Sequence, residues 1–158
     1  MKIGIISDTH DNLDKINKAV SILNSKKVEF VVHCGDFVAP FSVKPLFKLK
    51  CDWLGVFGNN DGEKKGLLTI SEDRIKKPPY EFSLSSKKIL VMHDLKEIKK
   101  NVDIVLYGHT HKLNIEKINK FKKDILLINP GETCGWVYNK SSLVILDLKS
   151  LLAQPVYF

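Results

Sequence analysis

Apolar residues follow two rhythms along the chain. Short unbroken blocks rich in β-branched residues occur at Lys2–Ser7, Glu29–His33, Asp52–Phe57, Lys87–Met92 and Val102–Tyr107. Blocks of this length read as strands buried on both faces. Between the first two, Leu13, Ile16, Val20 and Leu23 recur at helical spacing and predict an amphipathic helix over about 13–24, capped by Asp11 or Asn12. A second helix is expected from Phe41 to Leu49, with Pro40 near its start. Residues 62–79 contain Gly62, Gly66, Pro78 and Pro79 and read as a loop with a short helix. Tyr80–Leu84 pairs in prediction with Lys87–Met92 across a tight turn at Ser85-Ser86, and Leu95–Lys100 leaves room for one or two helical turns. The last third predicts strands at Leu113–Ile118, Ile125–Ile128, Ser142–Leu148 and Pro155–Phe158, with a turn at Asn129-Pro130-Gly131. The order βαβαβ, followed by hairpins, predicts a mixed sheet or a two-sheet sandwich with helices outside, in a single domain over 1–158.

The chemistry sits where the strands stop. Five apolar blocks end in residues able to bind a metal: Asp8 and His10, Asp36, Asn59, His93, and His109 with His111. In open α/β sheets ligands bind beyond the carboxyl ends of the strands, so strands of shared direction would bring all seven side chains to one edge. Gly35, Gly58 and Gly108 each precede a candidate and are expected to allow the turn that aims it. Seven donors exceed one ordinary ion and suit two. Asp36, isolated on a Gly turn, is the best candidate for a shared carboxylate. Mixed imidazole and carboxylate donors suit Mn, Fe, Ni, Co or Zn. His33, the fifth histidine, reads as structural, and Asp61 as a residue that orients a turn or a ligand.

Composition narrows the picture without redirecting it. The formal net charge of +7 comes mainly from scattered lysine pairs, with Arg74 the only arginine. A solvated lysine-rich surface is the first reading and a nucleic-acid surface the second. Cys34, Cys51 and Cys134 form no CxxC pattern, which excludes a disulfide framework and a thiolate zinc site. Cys34 and Cys51 are expected in the core, whereas Cys134, after a Gly-rich turn, is placed for exposure. Trp53, Phe57 and Trp136 are expected in the core or an interface. No apolar run is long enough to span a membrane, and Met1-Lys-Ile-Gly-Ile lacks a leader pattern, so a cytoplasmic location is expected.

In chain order, Asp8-Thr-His10, Gly35-Asp36, Gly58-Asn-Asn-Asp61, His93 and Gly108-His-Thr-His111 resemble the calcineurin-like metallophosphoesterases. Asn129-Pro-Gly-Glu132 is similar to a late turn of the same family. The likeness is to its compact single-domain archaeal and bacterial phosphodiesterases. It implies an α/β fold, a four-layer αββα sandwich of two mixed sheets with the metal site at the strand C-terminal edge. It also implies that Asp8, His10, Asp36 and His111 hold one divalent ion and Asp36, Asn59, His93 and His109 a second. Mn or Ni are the implied ions, with Zn, Fe, Co and Mg compatible. The implied reaction is hydrolysis of a small phosphodiester by a hydroxide held between the two ions.

Three departures stand out. Asn60 occupies the catalytic position where many members carry histidine, and an amide can donate to phosphate but cannot act as a general acid. Asp94 follows His93 where glycine is usual, and the segment from His93 to Gly108 is short. The rivals are a non-catalytic scaffold, as in the metallophosphoesterase-like subunit of the retromer coat, and a nuclease. All seven positions hold competent donors, which disfavours the scaffold. The chain lacks the aromatic-basic stripe of single-strand binders, which disfavours nucleic acid. No membrane partner is expected, and a homo-oligomer is compatible with the sequence.

Overall fold

A computed structural model describes residues 1–158. Eleven strands form two mixed sheets. In the first, β1 (Lys2–Ile6), β2 (Phe30–His33), β3 (Asp52–Val56) and β4 (Ile75–Lys76) run parallel side by side. Two antiparallel strands, β10 (Ser142–Asp147) and β11 (Leu152–Tyr157), extend this sheet beyond β1. In the second, β6 (Lys87–Val91), β7 (Ile104–Leu106) and β9 (Lys123–Pro130) are parallel, flanked by antiparallel β5 (Tyr80–Leu84) and β8 (Leu113–Lys120).

Alternation of side chains explains the layering, because successive residues of a strand face opposite sides. Ile3, Ile5, Val32 and Val144 of the first sheet meet Ile89, Val91, Ile104, Leu106 and Ile128 of the second in one core. The intervening residues face outward. Ile6 and Val31 pack under the helices, and Leu90, Val105 and Leu127 form a third cluster on the far side. The expected two-sheet sandwich is therefore present, and the apolar blocks are unbroken because both faces are covered.

The helices all lie on the first sheet. Helix α1 (Leu13–Ser25) buries Ile16, Ala19, Val20 and Leu23, and the Asn12 side chain caps it by accepting from Lys15 N. Pro40–Lys48 folds as a 3₁₀ helix rather than an α-helix. Pro45 lies inside it, and proline lacks the N–H and crowds the preceding turn of an α-helix. Helix α2 (Lys64–Ile70) is the short helix expected in the irregular stretch; the two-residue β4 is too short to leave a pattern.

The outer face of the second sheet carries no helix. Leu95–Lys100, expected to make a helical turn or two, is irregular. Ile98 and Val102 drop from this segment onto Leu90, Met92, Val105 and Leu127 and cover the face instead. The late hairpin also differs in extent: β8 and β9 run to a two-residue turn at Phe121-Lys122, and Asn129 and Pro130 belong to β9 rather than to a turn. Both Ser85-Ser86 and Phe121-Lys122 have positive φ throughout, the backbone that matches strand twist in tight hairpins.

Candidate metal centre

The parallel strands of both sheets end on the same side of the sandwich. β1, β2 and β3 deliver Asp8 and His10, Asp36, and Asn59, while β6 and β7 deliver His93, and His109 with His111. The seven residues selected from the sequence are thus brought together. They arrive from two facing sheets. Backbone bonds lock the loops to one another: Asp8 N donates to Gly35 O, Thr9 N to Asp36 O, and Gly108 N to His93 O.

Two donor groups meet at Asp36. Its Oδ2 lies 3.4 Å from His10 Nε2 and 3.3 Å from His93 Nε2. On one side, His111 Nε2 is 3.4 Å from Asp8 Oδ1, so Asp8, His10 and His111 converge around a common point. On the other side, Asn59 Oδ1 is 2.9 Å from both His93 Nε2 and His109 Nδ1. Asp8, Asp36 and His93 also cluster closely enough to share a metal ion.

Neighbouring groups decide which ring nitrogens face inward. His93 Nδ1–H donates to Cys34 O and His111 Nδ1–H donates to Glu132 Oε2, each at 2.9 Å. Their Nε2 lone pairs therefore point at the carboxylates and at the Asn59 carbonyl. Lone pairs so arranged repel unless a proton or a cation lies among them. Asp8 Oδ1 and His10 Nε2 are buried and have no hydrogen-bond partner at all, a costly state for polar atoms out of water. Orphaned oxygen and imidazole donors facing each other fit a divalent ion.

Charge follows the same logic. Burial alone would raise the Asp36 carboxyl, but the His93 imidazole beside it and the hydrogen bonds from Asn60 outweigh it and hold Asp36 far below the usual carboxylate range. Burial pushes the Asp8 carboxyl up. Burial opposes a charge on His93, yet the Asp36 carboxylate beside it prevails and raises its pKa. The centre thus attracts positive charge.

The backbone at the site is strained. Asp8, His10, Asp36, His109 and His111 all have positive φ, a conformation disfavoured for residues with a Cβ. The glycines act differently from expectation at two places. Gly58 and Gly108 are not in the left-handed region; they permit close approach. A Cβ at Gly58 would stand 2.1 Å from Asp36 Oδ1, and one at Gly108 would stand 2.0 Å from Ser7 Oγ.

Supporting residues complete the centre. Asp61 is buried and accepts from the N–H groups of Asp36, Val38 and Gly58, so it shapes the turn as expected. Asn60 donates to Asp36 twice, through its backbone N–H and its Nδ2. His33 is buried and structural: it stacks on Phe37 and bonds to Thr9 and Gly35. Glu132 is the residue whose role the sequence did not disclose. Fully buried, it accepts from His111 Nδ1 and from the N–H groups of Val137 and Tyr138. The only signal was its place after Asn129-Pro-Gly, and Asn129 itself ties the Gly108–Thr110 turn by donating to Gly108 O and Thr110 Oγ1. The Cys134 expectation fails nearby, and of the two alternatives for Trp136 the core one does. Cys134 is buried beneath this turn, its N–H bonded to Asp8 O. Trp136 is 64% exposed, with its ring 6.3 Å from that of His10, and so belongs to the rim of the site rather than to the core.

The comparisons with known proteins agree with this geometry. The family model for the calcineurin-like phosphoesterase superfamily domain matches residues 1–151. Phosphodiesterase MJ0936 of Methanocaldococcus jannaschii is 40% identical, with 93% of each chain covered. The solved structure of an archaeal phosphodiesterase superposes with a TM-score of 0.87 at 34% identity over the whole of both chains. The phosphoesterase YfcE from E. coli shares the fold, with a TM-score of 0.76 at 20% identity over 99% of this chain and 98% of its own. No helix is long and apolar enough to cross a membrane. Family match, sequence identity and a metal-ready cluster at the expected strand ends converge: the chain belongs to the calcineurin-like phosphoesterase superfamily and is a hydrolase of phosphate esters.

Proposed function

We propose that the protein is a metal-dependent phosphodiesterase with a two-metal centre, formed in one domain of 158 residues. Asp8, His10, Asp36 and His111 would hold one divalent ion, and Asp36, Asn59, His93 and His109 the other. Mn or Ni are the ions proposed, because the donors are imidazoles, carboxylates and one amide oxygen without a thiolate. The carrying observation is Asp36 Oδ2, poised between His10 Nε2 and His93 Nε2 at nearly equal distances. The similarity to archaeal phosphodiesterases supports a diester as the substrate. A cytoplasmic location is part of the same reading, in keeping with three unpaired cysteines.

When bound, such a pair of ions draws charge from phosphoryl oxygens and lowers the pKa of water toward ~7. The chain does the rest by placement. Glu132 and Cys34 O fix the His111 and His93 tautomers so that Nε2 faces inward in both. Asn60 helps keep Asp36 ionised by donating to its carboxylate, and Asp61 holds the Asp36 backbone in place by accepting from its N–H. The Asn60 amide stands at the same carboxylate oxygen and can present a donor to a phosphate there, without delivering a proton to the leaving group. Trp136 stands at the rim of the site, its ring 6.3 Å from that of His10.

The test is hydrolysis of an activated diester and the matching monoester by protein stripped of metal and reloaded with Mn²⁺, Ni²⁺, Mg²⁺ or Zn²⁺. Diester turnover well above monoester turnover, absent without metal, is expected. Metal-independent turnover, or a monoester preference, would contradict the reading.

A further inference from the structure

Beside the His93, His109 and Asn59 end of the centre lies a cleft of about 820 Å³. That volume is in the range of small-molecule sites. Its apolar lining comes from Phe57, Leu68, Met92 and Pro78-Pro79. Four lysines, Lys64, Lys77, Lys96 and Lys99, line it against two acids, Asp94 and Glu97. Lys96 is spent on Asp94 at 3.6 Å and Lys99 on Glu81 at 2.5 Å. Lys64 and Lys77 have no carboxylate partner, and Lys64 Nζ lies over the Phe57 ring at 5.8 Å. The irregular segment after His93 builds one wall of this space.

An apolar trough leading from the phosphoryl site to two uncompensated ammonium groups is suited to an extended substrate with a second anionic end. Lysine binds phosphate as a point charge and needs no fixed bidentate geometry. Building on the phosphodiesterase reading, we propose that the cleft takes one arm of a nucleotide-sized diester and that Lys64 and Lys77 bind a terminal phosphate on that arm. The apolar floor covers the linking nucleoside.

Two dinucleotides, identical except for a 5′-phosphate, test this. Steady-state kinetics use the Mn-loaded protein, and calorimetry measures binding of the same pair to metal-free protein, where nothing turns over. The phosphorylated dinucleotide is expected to show a KM and a Kd lower by about tenfold, with an advantage that shrinks as salt rises. In Lys64→Gln/Lys77→Gln the advantage falls below twofold; in Lys18→Gln, on the far helix α1, it persists. Equal constants for the two ligands, or an advantage untouched in the double variant, overturn the proposal. Bis-p-nitrophenyl phosphate is assayed alongside. If no metal form hydrolyses it, the phosphodiesterase reading fails by itself, and the Kd pair still decides the cleft.

Discussion

His33 should make the apo-protein acid-sensitive in a way that a single substitution isolates. Its Nδ1 accepts from Gly35 N–H at 3.1 Å, and its Nε2–H donates to Thr9 Oγ1 at 3.0 Å, leaving Thr9 Oγ1–H to donate to Asp36 O. Only the neutral Nε2–H tautomer satisfies this chain, because a second ring proton would face the Gly35 N–H. Burial acts in the same direction and is the main cause, with the nearby His93 adding to it, and the imidazole is pushed down from 6.5 to about 3. The unfolded chain therefore takes up a proton near 6.5 that the folded chain refuses until about 3, so stability falls as pH drops through that window. At pH 4.5, two units below the unfolded value, the loss amounts to about 3 kcal/mol, each unit being worth roughly 1.4 kcal/mol. His33→Asn retains an acceptor for Gly35 N–H and does not titrate. It should be less stable than wild type at pH 7.5, by roughly 1–3 kcal/mol for the lost Thr9 bond and Phe37 stacking. Urea unfolding of both proteins in chelator, from pH 7.5 to 4.5, measures the gap. Other acids titrate in both and cancel. The gap should narrow by about 3 kcal/mol or reverse. Parallel curves, with a gap changing by less than about 1 kcal/mol, would show that burial and the Gly35 donor do not keep His33 neutral.

The remaining expectations concern the centre. Glu132→Gln replaces the carboxylate that orients His111 and should weaken metal binding about 10–100-fold in chelator competition; an unchanged affinity would remove Glu132 from the centre. Gly58→Ala places a methyl 2.1 Å from Asp36 Oδ1 and 2.4 Å from its backbone N, so it should lower the denaturation midpoint by an amount worth about 1–3 kcal/mol and also reduce bound metal. Asn60→His restores a side chain able to protonate a leaving group. It should raise diester turnover mainly for alkyl leaving groups, and an equal gain for aryl and alkyl esters would refute that role.

Strand and site were legible for the same reason. A strand buried on both faces must be an unbroken apolar block, so its end is visible in sequence, and a histidine or aspartate placed there stands out. That is why Asp8, Asp36, His93 and His109 could be found without coordinates. The 3₁₀ geometry of Pro40–Lys48 is less visible, because the apolar spacing there suits an α-helix and only Pro45 opposes it. Leu95–Lys100 misled because Ile98 packs downward as a single anchor, not as one face of a helix. Glu132 was hidden because its role depends on contacts with His111, 21 residues away, and with a loop that has no periodicity. Cys134 and Trp136 traded places for a related reason: the turn after Gly131 folds Cys134 under Asp8 and turns Trp136 out beside His10.

The most direct test of the two-metal centre is the metal content of purified, Mn-reconstituted protein beside Asp36→Ala, measured by elemental analysis after exhaustive dialysis. Asp36 Oδ2 faces both donor groups, so its loss should disrupt both together. Two ions per chain in the wild type, at most one in the variant, and diester hydrolysis abolished with the second ion is the expected result. One ion or none in the wild type, or two in Asp36→Ala, would contradict it.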